Sequence, residues 1–97
     1  MKFTILPAAL AEFQNAAAYY EEQALELGSR FRQEYVNTLD RIRKFPKVHP
    51  RNGEFTRQCR FRRFPYTIVY RIGSDEIVIA AVSHLKRDQR YWRGRLS

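Results

Sequence analysis

The chain predicts an α+β domain in which a helical hairpin covers one face of a mainly antiparallel sheet. Three observations lead there. Apolar residues recur every three or four positions up to Pro46, and every second position beyond it. The helical stripes are adjacent to each other and so are the strand-like runs, apart from one short opening strand. Finally, 97 residues carry apolar surface for one core, so the chain reads as a single domain, 1–97.

Lys2 to Leu6 alternates and is rich in β-formers, which predicts a short first strand. Pro7 closes it and suits the first turn of a helix, where its missing N–H is no loss. From Ala8 onward Leu10, Phe13, Ala17, Tyr20 and Ala24 fall at spacings of three and four, one face of a helix. The alanines among them add helix propensity and allow close approach. Gly28 predicts a break. Beyond it Phe31, Tyr35, Leu39, Ile42 and Phe45 form a second stripe, ended by Pro46. So short a link makes the two helices an antiparallel hairpin.

Pro50 and Asn52-Gly53 mark a loop over 47–54. Residues 55–64 then alternate, with Phe55, Arg57, Cys59 and Phe61 on one face and Thr56, Gln58, Arg60 and Arg62 on the other. Phe64-Pro65 interrupts the run, Tyr66 to Ile72 reads as a strand, and Gly73-Ser74-Asp75 as a turn. Glu76 to Ser83 is almost wholly apolar, as a central strand would be. The remainder, His84 to Ser97, is a basic tail with Tyr91-Trp92 in a short helix. The order is β-α-α-β-β-β. With the helices on one face, the other face is expected to be open and wet, carrying some of the arginines.

The net charge of +8 is unevenly distributed. Residues 1–54 carry eight bases against seven acids, whereas residues 55–97 carry ten against three. Nine of those ten are arginine, the side chain that pairs bidentately with carboxylate or phosphate and stacks on flat rings. A polyanionic partner, either nucleic acid or an acidic protein segment, suits this half.

Several function classes are excluded. The four glycines are scattered, so there is no phosphate-cradling loop. His49, Cys59 and His84 lack metal-ligand spacing, and neither a metal nor a cofactor is expected. No apolar run approaches the roughly 20 residues of a membrane span. The opening residues are too short and interrupted for a signal peptide, and one cysteine makes no internal disulfide, so a cytoplasmic location is expected. Ser83-His84 is a poor nucleophile–base pair, because neighbours on a strand point to opposite faces. Cys59 reads as core filling.

What remains is a cluster of Arg60 and Arg62 in one strand, with His84, Lys86, Arg87 and Tyr91 where the last strand ends. These groups are expected at one end of the sheet. Metal-free RNA cleavage needs a base, an acid and cations for the phosphorane; arginine supplies only the last. His84, Lys86 or Tyr91 would have to move the protons, with shifted pKa values. Arg93 and Trp92 extend the same surface as target contacts, and Tyr91-Trp92 has the alternative role of anchoring the tail.

The segment Arg62-Arg-Phe-Pro-Tyr-Thr-Ile-Val-Tyr-Arg71, then Ile77-Val-Ile-Ala-Ala-Val-Ser-His84, Lys86-Arg87 and Tyr91-Trp92, resembles the RelE/ParE toxin superfamily. Ala17-Ala-Tyr-Tyr-Glu21, Leu27-Gly28 with Phe31, and Ile42-Arg-Lys-Phe-Pro46 resemble its helical hairpin. The resemblance spans nearly the whole chain. It implies the β-α-α-β-β-β fold, a role as the toxin of a type II toxin–antitoxin or plasmid-stabilisation module, and a co-encoded antitoxin with an acidic, flexible segment. RelE-like members cleave mRNA on the ribosome; ParE-like members inhibit DNA gyrase without cutting RNA. Arg60 falls where the nucleases place an arginine. The histidine–tyrosine ending of YoeB-like nucleases is absent, since Leu85 follows His84. Lys86, Arg87 and Tyr91 match the RelE-like acid–base set only loosely. The ending His84-Leu-Lys-Arg87 with Tyr91-Trp92 is more similar to the ParE-like branch, which is therefore favoured, with the ribosome-dependent endoribonuclease as the alternative. A nucleic-acid-binding module without toxicity is a third reading.

Overall fold

A computed structural model describes residues 1–96 of the protein; Ser97, the end of the expected tail, lies outside them. Strand β1 (Lys2–Ile5) leads into helix α1 (Pro7–Gln23), with Pro7 in its first turn as expected. Helix α2 (Leu27–Lys44) returns alongside it. Three strands follow, β2 (Arg57–Arg60), β3 (Tyr66–Ile72) and β4 (Glu76–His84), and then a 3-10 turn over Arg93–Leu96. The sheet order is β1-β4-β3-β2. β1 runs parallel to β4 and the other pairs are antiparallel, so the nearly all-apolar β4 is indeed central.

The helices pack on one sheet face through an aromatic centre. Phe31 is wholly buried, with the rings of Phe13, Tyr20, Phe61, Phe64 and Tyr66 at 5.1 to 6.1 Å. Both helices, the end of β2, the β2–β3 link and β3 thus meet on one side chain. Offset and edge-on ring pairs of this kind contribute beyond the area they bury. Cys59 is buried in the same core, and burial pushes its thiol up, as a core-filling role requires.

Three expectations need correction. The break between helices comes at Ala24-Leu25-Glu26, with Glu26 at a φ of 69°, and Gly28 lies inside α2. Gly28 serves close approach instead: a Cβ there would stand 3.0 Å from the Ala17 carbonyl oxygen and 2.6 Å from Glu21 Oε2. The run over 55–64 pairs as a strand only at Arg57–Arg60, and Phe55 is 72% exposed. Alternation still held for Cys59 and Phe61, which are both buried. Finally, the second sheet face is not open. Val69, Ala80 and Ala81 on that face are covered by Trp92, itself 2% exposed, with Leu6, Tyr91 and Leu96 around it.

A bulge makes this two-sided burial possible. Val69 pairs with Ala81 and Tyr70 with Ile79, which leaves Ala80 without an opposite residue. One extra residue reverses the alternation of β4. Ile77, Ile79 and Val82 therefore share the helix face, while Ala80 and Ala81 both serve the other, where their small side chains admit the indole.

Tyr70 is fully buried, and its hydroxyl donates to the Pro46 carbonyl at 2.6 Å. Burial, with a smaller contribution from Cys59 and opposed by Arg57, pushes its pKa from 10.0 up to about 12. A folded value above the unfolded one means stability that is complete below pH 10 and is lost as pH climbs to about 12. Denaturant midpoints should therefore fall steadily over that interval. Tyr70→Phe should lower stability at neutral pH by about 1 kcal/mol through the lost hydrogen bond and flatten the alkaline decline. An unchanged alkaline slope in that variant would contradict the assignment.

Candidate functional site

The pairing of β1 with β4 ends at Ile5 and Ile79, and Leu6 N–H closes on the Ile79 carbonyl at 3.1 Å. Beyond that point β4 has no strand on its β1 side. Two side chains take over. Arg95 Nη1 donates to the Ala80 carbonyl at 3.0 Å, and Val82 N–H donates to Glu12 Oε1 at 3.1 Å. Buried main-chain groups need partners, and here an acid from α1 and a base from the tail supply them.

Glu12 then gathers the tail. Arg95 grips it in a fork, Nη1 to Oε1 at 2.7 Å and Nη2 to Oε2 at 3.3 Å. Tyr91 donates its hydroxyl to Oε2 at 2.6 Å, and Arg87 approaches the same oxygen at 3.5 Å. Arg87 also lies over the Tyr91 ring, 3.5 Å from its centre, with Arg95 at 5.0 Å. The Glu12 side chain is only 15% exposed, and the charge is tolerated because each oxygen is saturated with donors. The Tyr91 pKa is raised, first by burial and then by its bond to Glu12, with Ser83 and Arg87 pulling the other way.

The remaining predicted residues lie elsewhere. The register aligns Arg60 with Thr67 and Ser83 on the tail face, whereas Tyr66 and His84 pair on the helix face. Arg60 and His84 thus share an end of the sheet but not a face. His84 packs edge-on against Tyr66 at 5.1 Å, and its Nδ1 accepts the Lys86 N–H at 3.1 Å, which leaves Nε2 for a proton. Ser83 faces away from it and takes a hydrogen bond from Gln89 at 3.0 Å. The Arg60 and Lys86 side chains are exposed. Arg62 stands apart, in the β2–β3 link beside α2, where Glu34 Oε1 accepts the main-chain N–H of both Arg62 and Arg63. Arg93 is exposed, 5.9 Å from the Trp92 ring centre. Trp92, expected as a target contact, is 2% exposed and lies against the sheet, its Nε1 donating to Gln89 Oε1 at 3.4 Å.

The expected convergence therefore splits into four places: Arg60 on the tail face, Arg62 in the β2–β3 link beside α2, His84 with Lys86 over Tyr66, and Arg87 with Tyr91 around Glu12. Glu12, Arg95 and Glu34 were not singled out from the sequence. Each is one charge on a helix or in a basic tail, and nothing in local spacing separates such a group from a solvated one. Among the described residues no three His, Cys, Asp or Glu side chains are grouped as metal ligands, and no helix is long and apolar enough to cross a membrane.

The family model for the ParE toxin of the type II toxin–antitoxin system, parDE, matches residues 3–89. The chain belongs to the ParE toxin family. No curated protein sequence matches it. Among solved structures, a chain of the chromosomal ParDE toxin–antitoxin system from P. aeruginosa is similar, with a TM-score of 0.66 at 15% identity. That likeness covers 89% of this chain and 97% of the other, and at such identity it speaks for the fold. The family match covers both halves of the Glu12 pairing with Arg87, whereas Tyr91 and Arg95 lie just beyond its end.

In this ParE-family chain, then, Glu12 holds the tail to the sheet. Glu12→Ala should cost about 3–5 kcal/mol, because it strands Arg95 and the Val82 N–H in a half-buried place. Glu12→Gln keeps an acceptor for Val82 and should cost less. Trp92 fluorescence shifting to the red before global unfolding, together with early proteolysis after Arg87 or Arg90, would report tail release. Native-like emission and protease resistance in Glu12→Ala would refute the role.

Proposed function

We propose that this ParE-family toxin acts on DNA gyrase by protein–protein contact and is neutralised by a co-encoded antitoxin, as in a plasmid-stabilisation module. One observation carries the choice against RNA cleavage. The Tyr91 hydroxyl and the Arg87 guanidinium, the groups nearest a nuclease's acid and cation, are both engaged by Glu12. A phenol with a raised pKa, already donating to an internal carboxylate, is poorly placed to serve as general base or acid near neutral pH. The family match supports the toxin and, with the parDE pairing in its description, an antitoxin. Gyrase lies in the cytoplasm, where the toxin would act.

One observation favours the ribosome-dependent endoribonuclease reading. Arg60 is exposed at the end of β2, with its guanidinium free to meet a phosphate among the described residues. Inducible expression in a bacterium separates the two. Gyrase inhibition predicts DNA breaks and an SOS response while translation initially continues. Immediate translation arrest, with transcripts cut inside translated frames and DNA intact, would overturn it. Cleavage abolished by Arg60→Ala with Tyr91→Phe would then assign the nuclease.

A further inference from the structure

The loop before β2 carries Asn52-Gly53, a pair whose chemistry has no part in the proposed function. Antiparallel bonds clip this loop at its base. Arg51 bridges to Arg57, Gln58 N–H donates to the Pro50 carbonyl at 2.9 Å, and Asn52 N–H to the Thr56 carbonyl at 3.1 Å. Yet the Asn52 side chain has Oδ1 and Nδ2 both buried without a partner. Gly53 is exposed, and among the described residues its main-chain N–H donates to no acceptor. Glycine is needed there, because Thr56 Oγ1 lies 2.7 Å from where a Cβ would stand.

Buried polar atoms are nearly always paired, so an amide with both ends unused is exceptional. A ring closed between the Gly53 nitrogen and Asn52 Cγ breaks no hydrogen bond on either side. Glycine also has no Cβ to crowd that ring. We propose that Asn52-Gly53 is a self-modification site, at which the folded chain converts the Asn52 amide to aspartate and isoaspartate. A solvent base takes the Gly53 N–H proton, and the nitrogen attacks Asn52 Cγ. The Cγ–Nδ2 bond breaks, and Nδ2 takes a proton from solvent and leaves as ammonia. Water then opens the cyclic imide, at Cγ to give aspartate or at the main-chain carbonyl to give isoaspartate.

The other asparagines are held away from this chemistry. Asn15 and Asn37 lie inside α1 and α2, where the N–H groups that follow them are tied in helical bonds, and Asn37 Oδ1 accepts from Gln33 at 2.9 Å. At position 52 the products would act on the clip. Aspartate puts a charge where the amide oxygen has no donor, and isoaspartate adds a carbon to the main chain between the bonds to Pro50 and Thr56. Either loosens the start of β2.

The test ages the folded full chain at neutral pH and physiological temperature, beside the same chain unfolded in urea. Peptide mapping by mass spectrometry, with isoaspartyl methyltransferase labelling, follows each asparagine. Asn52 in the folded chain should convert at least about tenfold faster than Asn15 or Asn37, whose neighbouring N–H must first be freed. The denaturant midpoint of the aged chain should fall with the converted fraction. Asn52→Gln, whose longer side chain disfavours the ring, should age without label, and circular dichroism confirms its folding. The comparison with Asn15 and Asn37 stands within the parent chain even if that variant misfolds. Asn52 intact in the folded chain while the unfolded chain converts would overturn the proposal, as would equal conversion at all the asparagines.

Discussion

Three separate parts of this structure meet on the Glu12 carboxylate. α1 brings the acid, β4 brings an unpaired main-chain N–H, and the tail brings Tyr91, Arg87 and Arg95. A charge this enclosed is tolerable only when its partners are all present, so the pieces depend on each other. Without Glu12 the edge of β4 beyond Ile79 would need another cover, and the tail would be held chiefly by Trp92. With it, the tail becomes a third layer, packed on the face of the sheet that the helices leave uncovered.

The two faces of the sheet are held by different physics. On the helix face the aromatic rings around Phe31 bury broad apolar area with little polar content. On the tail face a single indole rests on two alanines, and ion pairs and hydrogen bonds from arginines frame it: Arg71 to the Leu96 carbonyl at 3.0 Å, Arg95 to Ala80 and Glu12. The first arrangement survives changes of salt. The second is more sensitive, because exposed parts of the pairing are screened.

Arginine accordingly does two jobs in the basic half of the chain. Arg71 and Arg95 satisfy buried carbonyls and carboxylate, and count as structure. Arg60, Arg62 and Arg63 point outward with no carboxylate on their side chains among the described residues, and Arg93 is exposed with only Asp88 near it; these are the charges a partner would meet. Exposure and pairing separate the groups; net charge does not.

How much was legible follows from the range over which each signal acts. The switch in period from 3.6 to 2 at Pro46, the prolines at 7 and 46, and the all-apolar run at 76–83 are local, and they determined the element order and the α+β class. The motifs around Phe64–Arg71 and Val82–Arg87 determined the family. Glycine misled at position 28, because a residue without a side chain marks either a turn or a close crossing, and only the neighbouring helix tells which. The closing of the second sheet face, the parity change at Ala80 and the sorting of arginines into paired and free were decided by tertiary structure. Glu12 and Tyr91 are 79 residues apart. Their contact exists only once the sheet has brought α1 and the tail to one edge, and no spacing in the chain records that.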